Sequence, residues 1–337
     1  MSATIRDVAK RLNISITTVS RALDGYEDVA DETRQRVIQT AQKMGYSPNR
    51  AARQLRKQKA ETIGFILPAS AQRFDEPFFT EFISGLGDEL SEQKFDLLVA
   101  NAKSEEMERN LYERWIHSHK VDGVVFNRVQ KKDWRVQYLA EAKFPFVALG
   151  KSQDGVDYPC IRIDGAQGYV DLIRHLRTGN FSRFAFIGGH KNLINHMDRL
   201  KWFKTALKTW ELPLQDGYIL SADMTSAGGY ETAKLLLALP NPPDAILCVN
   251  DETAFGALHA AHERGLVVGQ DIAIAGFDGV QVSRHTEPPL TTLDIPVPDI
   301  ARQLAHMLLS SLNGDSPEQK EVIILPNLLI RASTGGQ

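Results

Sequence analysis

The sequence predicts an α/β protein in two parts: an N-terminal headpiece of three short helices with a hinge helix behind it, and a larger body of two lobes built on parallel sheets. Three observations carry this. Residues 1–60 hold 12 Lys and Arg against 6 Asp and Glu, whereas the other 277 hold 27 against 36, so a basic segment precedes an acidic body. Apolar residues recur with helical period between positions 5 and 44. Beyond residue 60, short apolar runs alternate with amphipathic stretches of helix length, the pattern of parallel strands covered by helices.

The first helix is carried by Ile5, Val8, Ala9 and Leu12, spaced i, i+3, i+4, i+7. Thr4, with Asp7 three residues on, can form its capping box, and Asn13 stops it. Ser15 caps a second helix that turns Val19, Ala22 and Leu23 inward and leaves Ile16, Thr17, Ser20 and Arg21 on the outer face, until Asp24-Gly25 ends it. A third helix, about Asp31 to Met44, buries Val37, Ile38, Ala41 and Met44 and terminates at Gly45, a left-handed cap position. Two short helices joined by a tight turn, with a third closing the core, describe a helix-turn-helix headpiece over residues 1–46.

A short second helix beginning with small polar residues and carrying one cation can enter a major groove. There Arg21 can fork onto a guanine edge, Thr17 can hydrogen-bond a base, and Ile16 can meet a thymine methyl. Ser15, Thr18, Thr33, Tyr46 and Asn49 suit phosphate contacts that set register. The competing reading is a three-helix protein-interaction module with a solvated polar face. Residues 47–60 form a hinge segment: Ser47-Pro48 can start a helix too short to persist alone in water. Arg50, Arg53, Arg56, Lys57 and Lys59 would let DNA stabilise it, with Leu55 as a minor-groove wedge; otherwise it is a charged linker with Leu55 in the core of the body.

Composition excludes several classes. With 43% hydrophobic and 24% charged residues among 337, the chain is an ordinary folded protein of at least two domains. Cys160 and Cys248 stand alone in apolar runs, which offers neither a disulfide framework nor a metal motif. The start Met1-Ser-Ala-Thr-Ile-Arg-Asp lacks a signal-peptide core, and no window reaches about 18 uninterrupted apolar residues. A cytoplasmic protein without a membrane partner is expected. No GxxxxGK[ST], HExxH or GxSxG occurs, and neither cofactor nor metal is expected. His117, His119, His259 and His262 read as solvated helix faces, and the Arg128–Arg135 cluster as a solvated turn and helix start.

Strand-like runs in the body are Ile63–Leu67, Asp96–Ala100, Gly123–Phe126, Phe146–Leu149, Phe184–Ile187, Ala245–Val249 and Ile272–Phe277. Two lobes are more economical than one very large sheet. The chain is expected to cross between them near Cys160-Ile161, around Pro288–Ile295, and again before Glu321–Ile324. That assigns residues 61–161 and 291–320 to the first lobe, and 162–290 and 321–337 to the second.

Residues 4–23 (Thr-Ile-Arg-Asp-Val-Ala-Lys-Arg-Leu-Asn-Ile-Ser-Ile-Thr-Thr-Val-Ser-Arg-Ala-Leu), Gly45-Tyr-Ser-Pro-Asn49 and Ala52-Arg-Gln-Leu55 closely resemble the headpiece and hinge of the lactose-repressor (LacI/GalR) family. The resemblance continues through Val121-Asp-Gly-Val-Val, Cys248-Val-Asn-Asp, Ala275-Gly-Phe-Asp278, Pro288-Pro-Leu-Thr-Thr292 and Leu325-Pro-Asn-Leu-Leu-Ile-Arg-Ala-Ser-Thr334. It implies a body of the type I periplasmic-binding-protein fold and a transcriptional regulator, expected to be a repressor. It also places Thr4 and Ala52 with the DNA-facing residues named above.

In open parallel sheets ligands bind beyond the carboxyl ends of strands. Asn127, Arg199, Asn250 and Asp278 stand there, and planar amide, carboxylate and guanidinium groups can hold vicinal hydroxyls through paired hydrogen bonds. Phe74 and Phe79 would supply an apolar wall. The resemblance implies Asn127, Asn195, Arg199, Asn250 and Asp278 as effector contacts; Asp278, beyond the Ile272–Phe277 strand, is expected to face Arg199 across the site, and the bland reading of each is a strand-end turn or helix cap, preferred for Asp251. Trp202, Gly150 and Gly279 depart from the family pattern and leave the effector's identity open. The expected protein is a homodimer that binds a pseudo-palindromic operator and answers to a small effector, most simply a sugar or oligosaccharide such as a glucoside. The alternatives are a solitary sugar-binding protein with a basic arm, or an enzyme of sugar or nucleoside metabolism.

Overall fold

The computed structural model describes residues 3–26, 28–46, 59–67, 76–315 and 319–336. Asn49, Ala52, Arg53, Leu55 and Phe74 lie outside them, as does the hinge helix. The chain divides into two compact units, Met1–Ala60 and Glu61–Gln337.

In the first unit, α1 (Ile5–Leu12), α2 (Ile16–Asp24) and α3 (Asp31–Lys43) enclose a small core of Val8, Ala9, Val19, Ala22, Val29, Val37 and Ala41. The ends obey local chemistry. The Asp7 carboxylate accepts the Thr4 backbone N–H at 2.9 Å and its hydroxyl at 2.7 Å. Asn13 (φ 53°) and Gly25 (φ 79°) adopt the left-handed conformation that stops α1 and α2. Ser15 accepts the Thr18 N–H at 2.9 Å. After α3, Gly45 turns left-handed and the Tyr46 N–H reaches back to the Ala41 carbonyl at 2.9 Å.

The second unit holds two six-stranded sheets. One has the order β11-β5-β4-β3-β1-β2 and is wholly parallel. Its strands are β1 (Thr62–Leu67), β2 (Asp96–Asn101), β3 (Gly123–Phe126), β4 (Phe146–Leu149), β5 (Cys160–Ile163) and β11 (Glu321–Ile324). Helices α4 (Pro77–Glu92), α5 (Glu105–His117) and α6 (Trp134–Glu141) link the first four strands. The other has the order β12-β10-β9-β8-β6-β7, parallel except for β12 against β10. It contains β6 (Phe184–Gly188), β7 (Ile219–Ser221), β8 (Ala245–Cys248), β9 (Ala273–Asp278), β10 (Thr291–Asp294) and β12 (Asn327–Leu329), with α7 (Ala166–Thr178), α8 (Ile194–Thr209), α9 (Ser226–Leu237) and α10 (Asp251–Glu263) between strands. After β10, α11 (Val297–Leu312) returns to pack on α4.

The crossings correct the expected lobe boundaries. The first lies after Ile163. β10 belongs to the second sheet, so residues 291–294 are not in the first lobe, and the chain returns only between Asp294 and Val297. β11 pairs with β5, Val322 opposite Ile161, so the last crossing follows Ile324 instead of preceding Glu321. An apolar run states that a segment is buried against a sheet; it does not name which edge receives it.

Candidate functional site

Two surfaces hold the residues singled out in the sequence: the outer face of α2, and a cleft between the lobes of the body.

On α2, Ile16, Thr17 and Arg21 are exposed. Ser20 is not: it is buried, 5% exposed, and its hydroxyl donates to the Asp24 carboxylate at 3.3 Å. It does not stand on the outer face that the helical spacing predicts, and its hydroxyl bonds within the headpiece. Thr4, Ser15 and Thr17 are exposed, Thr18, Thr33 and Tyr46 half-buried, with Tyr46 packed on the headpiece core. The Ser15 and Thr18 hydroxyls lie 2.8 Å apart. Arg21 lies 5.0 Å over the Tyr26 ring and pairs with Asp28.

The cleft encloses about 820 Å³ including its open mouth. Strand ends build it: Asn127 and Arg128 follow β3, Gly150 and Lys151 follow β4, Asn250 follows β8, and Asp278 closes β9. The first turns of α8 add Asn195, Asp198, Arg199 and Trp202, and the start of α4 adds Glu76 and Phe78. Asn127, Asn195, Arg199, Asn250 and Asp278 therefore share one cleft.

Phe79 does not line it. Its ring is fully buried in the hydrophobic core beneath Arg128, because the helix starting at Pro77 turns Phe79 inward and its neighbour Phe78 toward the cleft. Arg199 does not face Asp278 across the space. Both stand on the same wall, the guanidinium Nη2 donating to Asp278 Oδ1 at 2.9 Å. Arg199 Nη1 also donates to the Val249 carbonyl, and the guanidinium lies 3.7 Å over the Phe277 ring. Asp278 sits at φ 108°, a conformation in which only glycine is at ease, and holds its carboxylate at that strained strand end. Burial pushes the Asp278 carboxyl above the ordinary carboxylate range although Arg199 pulls it down.

Behind Asp278, Asp251 is the first residue of α10, but the cap is Asn250, whose Oδ1 accepts the Thr253 N–H at 3.2 Å. Asn250 Nδ2 donates to the Met224 carbonyl at 3.1 Å, so much of this amide is already committed. Asp251 accepts the Val280 N–H at 3.0 Å and the Thr292 hydroxyl at 2.7 Å. Burial first, then the Asp278 charge, raises its pKa well above the usual value. Gly279 follows at φ 74°, where a Cβ would come within 2.0 Å of Asp294 Oδ1. Its space is filled by the neighbouring strand, and it does not line the cleft.

Asn127 is the distinctive member. It is 2% exposed, lines the cleft, and among the described residues neither its Oδ1 nor its Nδ2 has a partner. A buried unpaired amide costs about 1–3 kcal/mol. It is held from behind. Arg135 Nη2 donates to the carbonyls of Asn127 at 3.2 Å and Arg128 at 3.1 Å, while the same guanidinium binds Asp133 at 2.7 and 2.9 Å and Glu108 at 3.3 Å. Arg128 in turn pairs with Glu76 at 2.8 Å, both side chains 7% exposed. The Arg128–Arg135 segment is thus no solvated turn. Lys131 and Lys132 are exposed, but its two arginines are buried and carry the cleft wall. No local pattern in the sequence signals this, because Glu76 and Glu108 stand 52 and 27 residues away from their partners.

Comparison with known proteins places both surfaces in one context. Residues 4–49 match the family described as bacterial regulatory proteins, lacI family, and residues 173–334 the periplasmic binding protein-like domain. The HTH-type transcriptional regulator AglR of Rhizobium meliloti is 35% identical over 99% of this chain and 95% of its own. Catabolite control protein A of Priestia megaterium is 31% identical over 99% and 100%. The solved CelR–cellobiose complex, 27% identical, superposes with a TM-score of 0.74 over 98% of this chain and 99% of that one. The lac repressor dimer bound to operator, 22% identical and sharing the fold, reaches 0.84 over 99% of each. With relatives 35% and 31% identical over 99% of its length, the chain belongs to the LacI family of helix-turn-helix transcriptional regulators.

Proposed function

We propose that this protein is a cytoplasmic, homodimeric repressor that reads a pseudo-palindromic operator through α2 and is controlled by a neutral sugar held between the lobes. It binds this effector without turning it over. The observation that carries the effector reading is the Asn127 amide, buried, without a partner among the described residues, and lining the cleft with Arg199 and Asp278. Phe78 and Trp202 offer aromatic faces, and the cations of the wall already have carboxylates: Arg128 with Glu76, Arg199 with Asp278, Lys151 with Asp157, Arg162 with Glu321. A balanced set of planar polar groups suits hydroxyls better than a net anion. The cellobiose complex of a relative supports a sugar. Among the described residues no helix is long and apolar enough to cross a membrane.

The test has two halves. A duplex selected from a random library should bind tightly and in a salt-dependent manner, and Arg21→Ala should cost about 1–3 kcal/mol on it while changing affinity for scrambled duplex less. Equal losses on both duplexes would remove Arg21 from the bases. For the effector, a thermal-shift panel of mono- and disaccharides against purine nucleosides should single out a sugar, since a ligand of the native state raises its stability. Asn127→Leu should then abolish most of that shift while raising the unfolding free energy of the ligand-free protein, measured by urea titration, by roughly 1 kcal/mol, because a solvation deficit is removed. An unchanged response to the sugar would return Asn127 to a structural role.

A further inference from the structure

In the DNA-free headpiece the guanidinium of Arg21 is not loose. Nε donates to Asp28 Oδ1 at 3.2 Å and Nη2 lies 2.5 Å from Asp28 Oδ2, two parallel bonds to one carboxylate. A guanidinium has two such forks, one formed by Nε and Nη2 and one by Nη1 and Nη2, and a guanine edge needs only one. Asp28 takes the first and leaves the second, end-on fork pointing away from it. Tyr26 steadies the group from the side, with the cation 5.0 Å over its ring.

Tyr26 and Val29, on either side of Asp28, are themselves anchored. The Tyr26 N–H donates to the Arg21 carbonyl at 3.1 Å, and Val29 is buried in the headpiece core. From α3, Arg34 donates to the carbonyls of Tyr26 at 2.8 Å and Val29 at 3.2 Å, and to Asp31 at 2.8 Å. An acid is thereby held at a set place on the face that meets DNA. The pair contributes little to the fold, since the side chains are 45% and 53% exposed and ion pairs in solvent are weak. Its consequence lies in recognition. At the end-on fork a phosphate brings a full negative charge that the nearby Asp28 carboxylate repels, whereas a guanine edge is a neutral pair of acceptors and is repelled far less.

We infer that Asp28 is a specificity-determining residue of the DNA-reading face, aiming the end-on fork of Arg21 at a base and weakening its use on phosphate. This rests on Arg21 as the base reader, and the experiment separates the two. Full-length wild type, Asp28→Asn, Arg21→Ala and the double variant are titrated with the selected duplex and with a scrambled one at a single salt concentration. Asp28→Asn should lower the ratio of selected to scrambled affinity by about tenfold, the scale of one bidentate base contact. In the Arg21→Ala background the same change should move both affinities by one common factor. If Arg21→Ala lowers the ratio but Asp28→Asn leaves it unchanged, or shifts both affinities equally, Asp28 is only a like charge near DNA and the inference falls alone. If Arg21→Ala leaves the ratio unchanged, the base-reading role falls and the inference with it.

Discussion

Arg135→Met is expected to lower the unfolding free energy by about 3–5 kcal/mol, the cost of leaving buried charge without its partner. Asp133 is fully buried and Glu108 5% exposed, and Arg135 touches both. Burial alone would raise the pKa of Asp133, but the Arg135 guanidinium and the backbone N–H groups of Gln130 and Arg135 outweigh it and hold the carboxyl below its ordinary value. Such a carboxylate contributes stability above its unfolded-state pKa, and this is lost as pH falls through the lower native one. The variant should accordingly lose most of its stability difference from wild type in acid, where the carboxyl groups take up protons. Methionine fills the volume over Phe126, whose ring lies 4.5 Å from the guanidinium, but restores none of the hydrogen bonds. Because the carbonyls of Asn127 and Arg128 lose their donor too, sugar binding should weaken alongside stability. Denaturant titrations at neutral and acid pH measure the difference. A loss below about 1 kcal/mol at neutral pH would mean that water replaces the guanidinium and that the network is dispensable.

Arg135 also shows where the sequence stops being legible. The headpiece is built from contacts a few residues apart, so its periodicity and caps, Thr4 with Asp7, Asn13, Ser15 and Gly25, stand in the sequence itself. One residue of its DNA-facing set escaped: Ser20 looks like a solvated helical serine until Asp24 is seen to accept its hydroxyl. In the body, strands announce themselves by apolar runs, and polar residues directly after them, Asn127, Asn250 and Asp278, fall in the cleft because every parallel strand delivers its carboxyl end to the same side. What did not show is whatever depends on pairing across the chain. The placement of β11 depends on β5, and the burial of Arg128 and Arg135 on carboxylates from other elements. Phe78 and Phe79 are adjacent and chemically identical, and only the phase of α4 decides which one meets the cleft.

Asp278→Asn is expected to cost about 1.5–3 kcal/mol in sugar affinity for each hydroxyl bond that the carboxylate accepts, while leaving operator affinity without sugar unchanged. The headpiece has its own core within Met1–Ala60, so the substitution leaves the packing that supports the proposed DNA-reading residues of α2 unchanged. The amide keeps the shape of the carboxylate and can still accept from Arg199, but one acceptor becomes a donor and the charge is gone. The stability of the ligand-free protein should change far less than the affinity. Burial already holds the native carboxyl above its ordinary pKa, so pairing with Arg199 does not fully offset its desolvation. A raised native pKa means that the folded state keeps the proton longer than the unfolded chain. Its stabilising effect is complete below the ordinary carboxylate value and is lost as pH rises through the native pKa. Asp251, raised by burial and by the Asp278 charge, behaves in the same way. The variant removes the first contribution and reduces the second, so its stability should fall less steeply than that of wild type as pH rises from about 4 toward neutrality. Calorimetry with the sugar found in the thermal-shift panel, an operator titration and a pH series of denaturation midpoints read the three consequences separately. Intact sugar affinity with the altered pH slope would make Asp278 a buried counter-charge for Arg199 alone, and loss of operator binding without sugar would show that the strained end of β9 supports the fold of the whole protein.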